Sequence, residues 1–153
     1  DMNTVIEDVA DYLGATGIGT VGTDIFVGYK PSKDGTTISV IDTGGIKPDD
    51  WGSIYNPFFQ IFISSDSFVN GKSKYDSIVA LLEDVRNTYL VVRGIHFYNI
   101  FLLSGGHLGK DENGLDLFSI NFQTKIRESS LQYFLLQETG GYLLLENGGK
   151  III

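Results

Sequence analysis

The sequence predicts an α+β fold: a mostly antiparallel sheet of four to six strands packed with two helices, plus a C-terminal β-repeat extension. Three observations predict it. Segments near residues 4–13 and 73–86 space their apolar residues at helical intervals. Strand-like runs follow one another in groups rather than alternating strictly with helices. The last of these, Gly114 to Arg127, sets Phe118, Ile120, Phe122 and Ile126 between Ser119, Asn121, Gln123 and Lys125, which buries one face.

Taken in order, the first element is a helix. Thr4 and Glu7 fit a capping box, and Val5, Ile6, Val9, Tyr12 and Leu13 share a face before Gly14 and Gly17 end the pattern. It is read as a cover on the sheet rather than as an interface helix. Asp24 to Lys30 is the first strand, and Lys33-Asp34-Gly35 supplies a turn into the second, Thr36 to Asp42. A longer loop, Thr43 to Ser53, carries the only tryptophan, Trp51, as either an interface anchor or a lid on the core. Ile54 to Ser65 is the third strand, with Pro57 near its start, where a missing N–H costs least.

A second helix is expected from Ser73, its cap, to about Arg86, with Tyr75, Ile78, Val79, Leu82 and Val85 as an apolar stripe. Tyr89 to Arg93 reads as a short strand and Ile95 to Leu103 as a long one. Ser104 to Asn113 reads as a Gly-rich, charged loop, long enough to suggest function, and Asn113-Gly114 as the turn that opens the final strand.

Composition narrows the class. The chain has 153 residues, 42% hydrophobic and 12% aromatic, which suits one folded core and excludes disorder. Its net charge is −8 and no basic stripe is visible, which disfavours a nucleic-acid grip. There are no cysteines, and the two histidines, His96 and His107, stand apart, so no disulfide, thiolate or zinc chemistry is expected and no cofactor is implied. No apolar run approaches the ~20 residues of a membrane span, and no secretory signal is seen.

Ile38-Ser39-Val40-Ile41-Asp42-Thr43-Gly44 has the shape of a retroviral-type aspartic protease segment. That chemistry needs two carboxylates sharing a proton. No later segment completes the pattern, Val91-Val92-Arg93-Gly94 being a poor match, so Asp42 is read as capping its own backbone in a tight loop. Lys110 to Gly114 lacks the ligand spacing of a calcium loop, and no nucleophile elbow, phosphate loop or dinucleotide fingerprint is present. No catalytic residue is assigned.

The C-terminus differs in kind. Tyr133-Phe134-Leu135-Leu136, then Gln137-Glu138-Thr139-Gly140-Gly141, is followed by Tyr142-Leu143-Leu144-Leu145 and Glu146-Asn147-Gly148-Gly149, a repeat with a period of nine that runs on to three isoleucines. Two units are too few for a solenoid. Each reads as a short strand and a Gly-Gly turn with a bare apolar edge that must be paired, by an intersubunit or interprotein contact in preference to its own domain. The chain thus divides into an α+β domain, 1–128, and an extension, 129–153.

Several stretches in order resemble one family: Tyr12-Leu13, Gly19-Thr20-Val21-Gly22-Thr23-Asp24, Val40-Ile41-Asp42-Thr43-Gly44-Gly45, Trp51-Gly52, Tyr55-Asn56-Pro57, Leu108 to Gly114, and Phe118-Ser119-Ile120-Asn121-Phe122. Residues from about Val5 to Glu128 are similar to the minor capsid or tail terminator proteins of long-tailed bacteriophages. The repeat departs from that pattern. The resemblance implies a virion structural protein, without catalysis, found in the tail or neck and assembled in the host cytoplasm. It implies a ring, expected to be a hexamer, that caps the tail tube, stops its growth and joins the neck. A head-closure or other minor virion protein is the alternative. The implied partners are further copies of the chain, the tail tube protein and a head–tail connector, with DNA passing unbound through the lumen and no membrane. An acidic wall suits that passage, because Lys and Arg contacts would hold phosphates. Candidate interface residues are Asp42, Thr43, Gly44, Gly45, Trp51 and His107, together with Tyr133, Phe134, Leu135, Leu136, Tyr142, Leu143, Leu144 and Leu145 of the repeat.

Overall fold

The capping box forms as expected. Thr4 Oγ1 accepts from the Glu7 backbone N–H, and Glu7 Oε1 accepts from the Thr4 backbone N–H at 2.8 Å, which starts helix α1 (Val5–Ala15). A computed structural model describes residues 4–46, 54–86, 88–90 and 96–128. After α1 come β1 (Ile25–Val27), β2 (Thr37–Ile46), β3 (Ile54–Ser65), α2 (Phe68–Glu83), β4 (His96–Lys110) and β5 (Asp116–Glu128). The five strands form one sheet in the order β1-β2-β3-β5-β4, antiparallel at every pairing except β1–β2.

That exception corrects one expectation. Strand β1 is three residues long rather than seven and runs parallel to β2, so Lys33-Asp34-Gly35 lies in a crossover and is not a hairpin turn. The ladder closes with Gly28 N–H donating to the Val40 carbonyl at 2.8 Å, after which the chain leaves the sheet.

One face of the sheet holds the core. Ile38 and Val40, Phe59, Ile61 and Ile63, Phe118, Ile120 and Phe122, and Ile100 share a strand parity and are buried. Val9 and Leu13 of α1 and Ile78 and Leu82 of α2 pack on them, so both helices cover the same face. Phe59 and Phe122, paired across β3 and β5, stack with centroids 5.0 Å apart. A second link is polar. Asp8 of α1 and Tyr98 of β4 are both buried, and the Tyr98 hydroxyl donates to Asp8 Oδ2. Burial, then that carboxylate, pushes the phenol above its ordinary range, so Tyr98 stays protonated and remains a donor.

Helix α2 begins five residues earlier than its apolar stripe suggested. Its cap is Ser67, whose Oγ accepts from the Asn70 N–H at 3.3 Å, and not Ser73. Gly71 lies inside the first turns because a Cβ there would stand 2.5 Å from Phe118 Cε1. It is a point of close approach rather than a breaker. Strand β4 also runs further than expected. Ser104 to Lys110, read as a loop, continues the ladder to β5, and only Asp111 to Leu115 turns. The short strand expected at Tyr89 to Arg93 is represented among the described residues by a single bridge, Thr88 to Tyr98.

Candidate assembly surfaces

Three exposed features of the sheet carry the candidate residues. The first is a bulge in β2. Asp42 pairs with Phe59 and Gly45 with Pro57, so Thr43 and Gly44 oppose one partner residue. The expected loop at Thr43 is therefore a strand that continues to Ile46. The reading of Asp42 as a backbone cap holds: its Oδ1 accepts from the Gly44 N–H at 2.8 Å, and Gly44 adopts φ 98°, which favours glycine. Asp42, Thr43 and Gly44 are exposed. The carboxylate is thereby engaged by its own turn.

The second feature is the hairpin end around His107. His107 stands on β4 rather than in a loop, with Nε2 3.0 Å from Asp116 Oδ1, while Lys110 Nζ donates to Asp116 Oδ2 at 2.8 Å. Its ring lies 4.9 Å from that of Phe118 and 5.0 Å from that of Phe68 at the start of α2. Lys110, with His107 behind it, holds the buried Asp116 carboxyl below its usual 3.8 against the opposing push of burial. A depressed carboxylate contributes stability that is present above the unfolded value and lost as pH falls through the folded one. Asp116→Asn is therefore expected to lower Tm at pH 7, and the gap from the parent chain to narrow as pH falls below the carboxyl's usual 3.8. Circular dichroism melts from pH 7 into acid read it, and a gap that does not narrow there would show that the ion pairs are not its source.

The third is the outer edge of β4. Phe101, Leu102, Leu103 and Leu108 are exposed there, and Phe68 and Val69 at the start of α2 add to the apolar surface. Sequence reading offered none of these as interface residues: Leu108 and Lys110 entered it only within the stretch Leu108 to Gly114, and Asp116 was not named. The signal was present in the density of leucines beside Gly105-Gly106, but it was divided between a strand ending at Leu103 and a loop that took in Leu108. On the sheet face without helices, Lys30 Nζ sits 5.0 Å over the Phe62 ring, and the buried hydroxyls of Ser39 and Ser64 have no partner among the described residues.

The structure does not gather the candidates into one place. The Asp42 bulge and His107 lie on β2 and β4, separated by β3 and β5, about 14 Å across the strands at the usual spacing, and are further offset along them, since Asp42 is level with Leu102 through Phe59 and Phe122. Trp51 and the repeat residues Tyr133 to Leu136 and Tyr142 to Leu145 lie outside the described residues. Among the described residues no group of three or more His, Asp or Glu side chains is placed to hold a metal ion, and no helix is long and apolar enough to cross a membrane.

Comparison with known proteins gives three findings. No curated protein matches the chain. A chain from the virion of a native gene transfer agent particle is similar, with 17% identity, a TM-score of 0.47, and coverage of 82% of this chain and 86% of that one. The pattern of the bacteriophage tail terminator proteins matches residues 12–128, from the last turn of α1 to the last residue of β5. The matched span takes in the Asp42 bulge, the Trp51 segment and the His107 hairpin on which the sequence resemblance rested, and by that match the chain belongs to the bacteriophage tail terminator protein family.

Proposed function

We propose that this virion structural protein forms a ring, most simply a hexamer, at the head-proximal end of the tail tube, where it stops tube growth and joins the neck. The family match over residues 12–128 carries this reading. The shape of the domain supports it. A closed ring is heterologous, so each subunit must present two different faces. The sheet offers two unlike edges, the short parallel β1 beside the bulged β2, and the long apolar β4. The tube protein and a head–tail connector are the partners on the two flat sides. With a net charge of −8 the ring repels DNA phosphates and lets the genome slide. Residues 1–128 form the ring domain, and 129–153 an appendage used for contact.

Electron microscopy of assembled tails with this chain gold-labelled tests the reading. One focus of label at the head-proximal end is expected, and tails made without the chain should be overlong and headless. Label spread along the tube would overturn the assignment.

A further inference from the structure

We propose that the outer edge of β4 between Ser104 and His107 receives the C-terminal repeat of a second copy of this chain, laid down as an extended segment antiparallel to β4. The proposal rests on the ring reading and names the contact that would close it.

Up to Ile100 this edge is occupied. Thr88 exchanges two backbone hydrogen bonds with Tyr98, Ile100 N–H donates to the Val85 carbonyl, and Arg86 donates to the Ile100 carbonyl at 2.6 Å with its guanidinium over Phe101. Beyond Ile100 no described residue pairs with the outer side of β4. Two bulges fall in that stretch, and Leu103 and Leu108 are the extra residues. A bulge commonly blunts an edge, and edges are commonly guarded by charge. Here the bulges turn out leucines instead, 52% and 58% exposed. Between them run Ser104, Gly105, Gly106 and His107. A Cβ added at Gly106 would meet open space, so another backbone can approach there.

The occupant is argued from the chain that follows β5. Its two apolar runs, Tyr133 to Leu136 and Tyr142 to Leu145, are four residues each, the length of the ladder between the bulges. Their flanking Glu138 and Glu146 complement Arg86, which stands beside Ile100 where the open stretch begins. The tail leaves β5 at Glu128, opposite His96, at the occupied end of β4. To lie on its own edge it would have to cross Arg86 and Thr88 and then run parallel to β4. A neighbour's tail meets neither obstacle and can pair antiparallel, the more stable arrangement. Each copy then gives one tail and accepts one, as a closed heterologous ring requires.

The chain has no cysteine, so introduced thiols are unique. Two full-length variants with distinguishable tags, Leu103→Cys and Leu143→Cys, are mixed and mildly oxidised, both free and in assembled tails. A disulfide joining the two tags is expected, and a closed intramolecular disulfide in the doubly substituted chain, with none between tags, would overturn the proposal. In parallel, Leu103→Lys/Leu108→Lys and Leu135→Lys/Leu144→Lys chains are followed by light scattering after their melts confirm folding. Each alone should lose the oligomer, and mixing should restore heterologous pairs. If each alone assembles like the parent chain, the β4 contact is wrong and the ring stands. If the parent chain forms no ring free or on tails, the ring reading itself fails.

Discussion

Phe118→Ala is expected to cost about 3–5 kcal/mol of folding stability, among the largest effects of any single truncation in this chain. Phe118 is 1% exposed and sits where α2, β4 and β5 meet. Its ring lies 5.6 Å from Phe68, 5.9 Å from Tyr75 and 4.9 Å from His107. Removing it opens a cavity under the first turns of α2, and the start of that helix should loosen first. The close approach of Gly71 gives the prediction a second arm. Gly71→Val on its own overpacks the same contact and should cost about 1–3 kcal/mol. In the Phe118→Ala background the new side chain enters the vacated space, so the two effects should couple by about 1–3 kcal/mol. Urea denaturation of the four chains in the cycle reads this, and strict additivity would refute the contact.

Tyr98→Phe should cost about 2–3 kcal/mol, because it leaves a buried carboxylate without its donor. The same pair predicts a partial rescue. Asp8→Leu combined with Tyr98→Phe removes both polar partners, and an apolar pair of similar shape is often close to neutral. The double variant should therefore be more stable than Tyr98→Phe alone. A double variant less stable than either single one would mean that Asp8 has other obligations in the core. The measurement is again equilibrium denaturation, with unchanged m-values as the check that the native state is intact.

What could be read beforehand was what short-range rules specify. Thr4 and Glu7 announced α1, the apolar run from Ile54 to Ser65 gave β3 to the residue, and the alternation through Phe118, Ile120 and Phe122 gave the buried face of β5. The misreadings all arose where distant partners decide. The start of α2 was placed at Ser73, past Gly71, because nothing nearby shows that Phe118, far along the chain, requires glycine there. Ser104-Gly105-Gly106 looks like a loop because its ladder partners lie on β5, and Asn121 Nδ2 donates to Ser104 Oγ at 3.0 Å across the two strands. Asp42 was legible as an Asx turn because its acceptor geometry spans two residues, yet the bulge that contains it depends on Pro57 and Phe59. His107 stood out by its rarity, while its partners Asp116 and Phe68 did not, since nothing local links them.

The strand order also sets a timetable for self-organisation. Strands β4 and β5 are joined by a turn of a few residues, whereas β3 meets β5 through pairs such as Ile63 with Phe118, about 55 residues apart. Closing the longer loop costs about 2 kcal/mol more chain entropy than closing the short one. The β4–β5 hairpin is therefore the natural early partner, and the centre of the sheet forms only when β3 and α2 return to it. During that interval the leucines of β4 stand exposed on a nascent hairpin, the kind of surface through which incompletely folded chains associate.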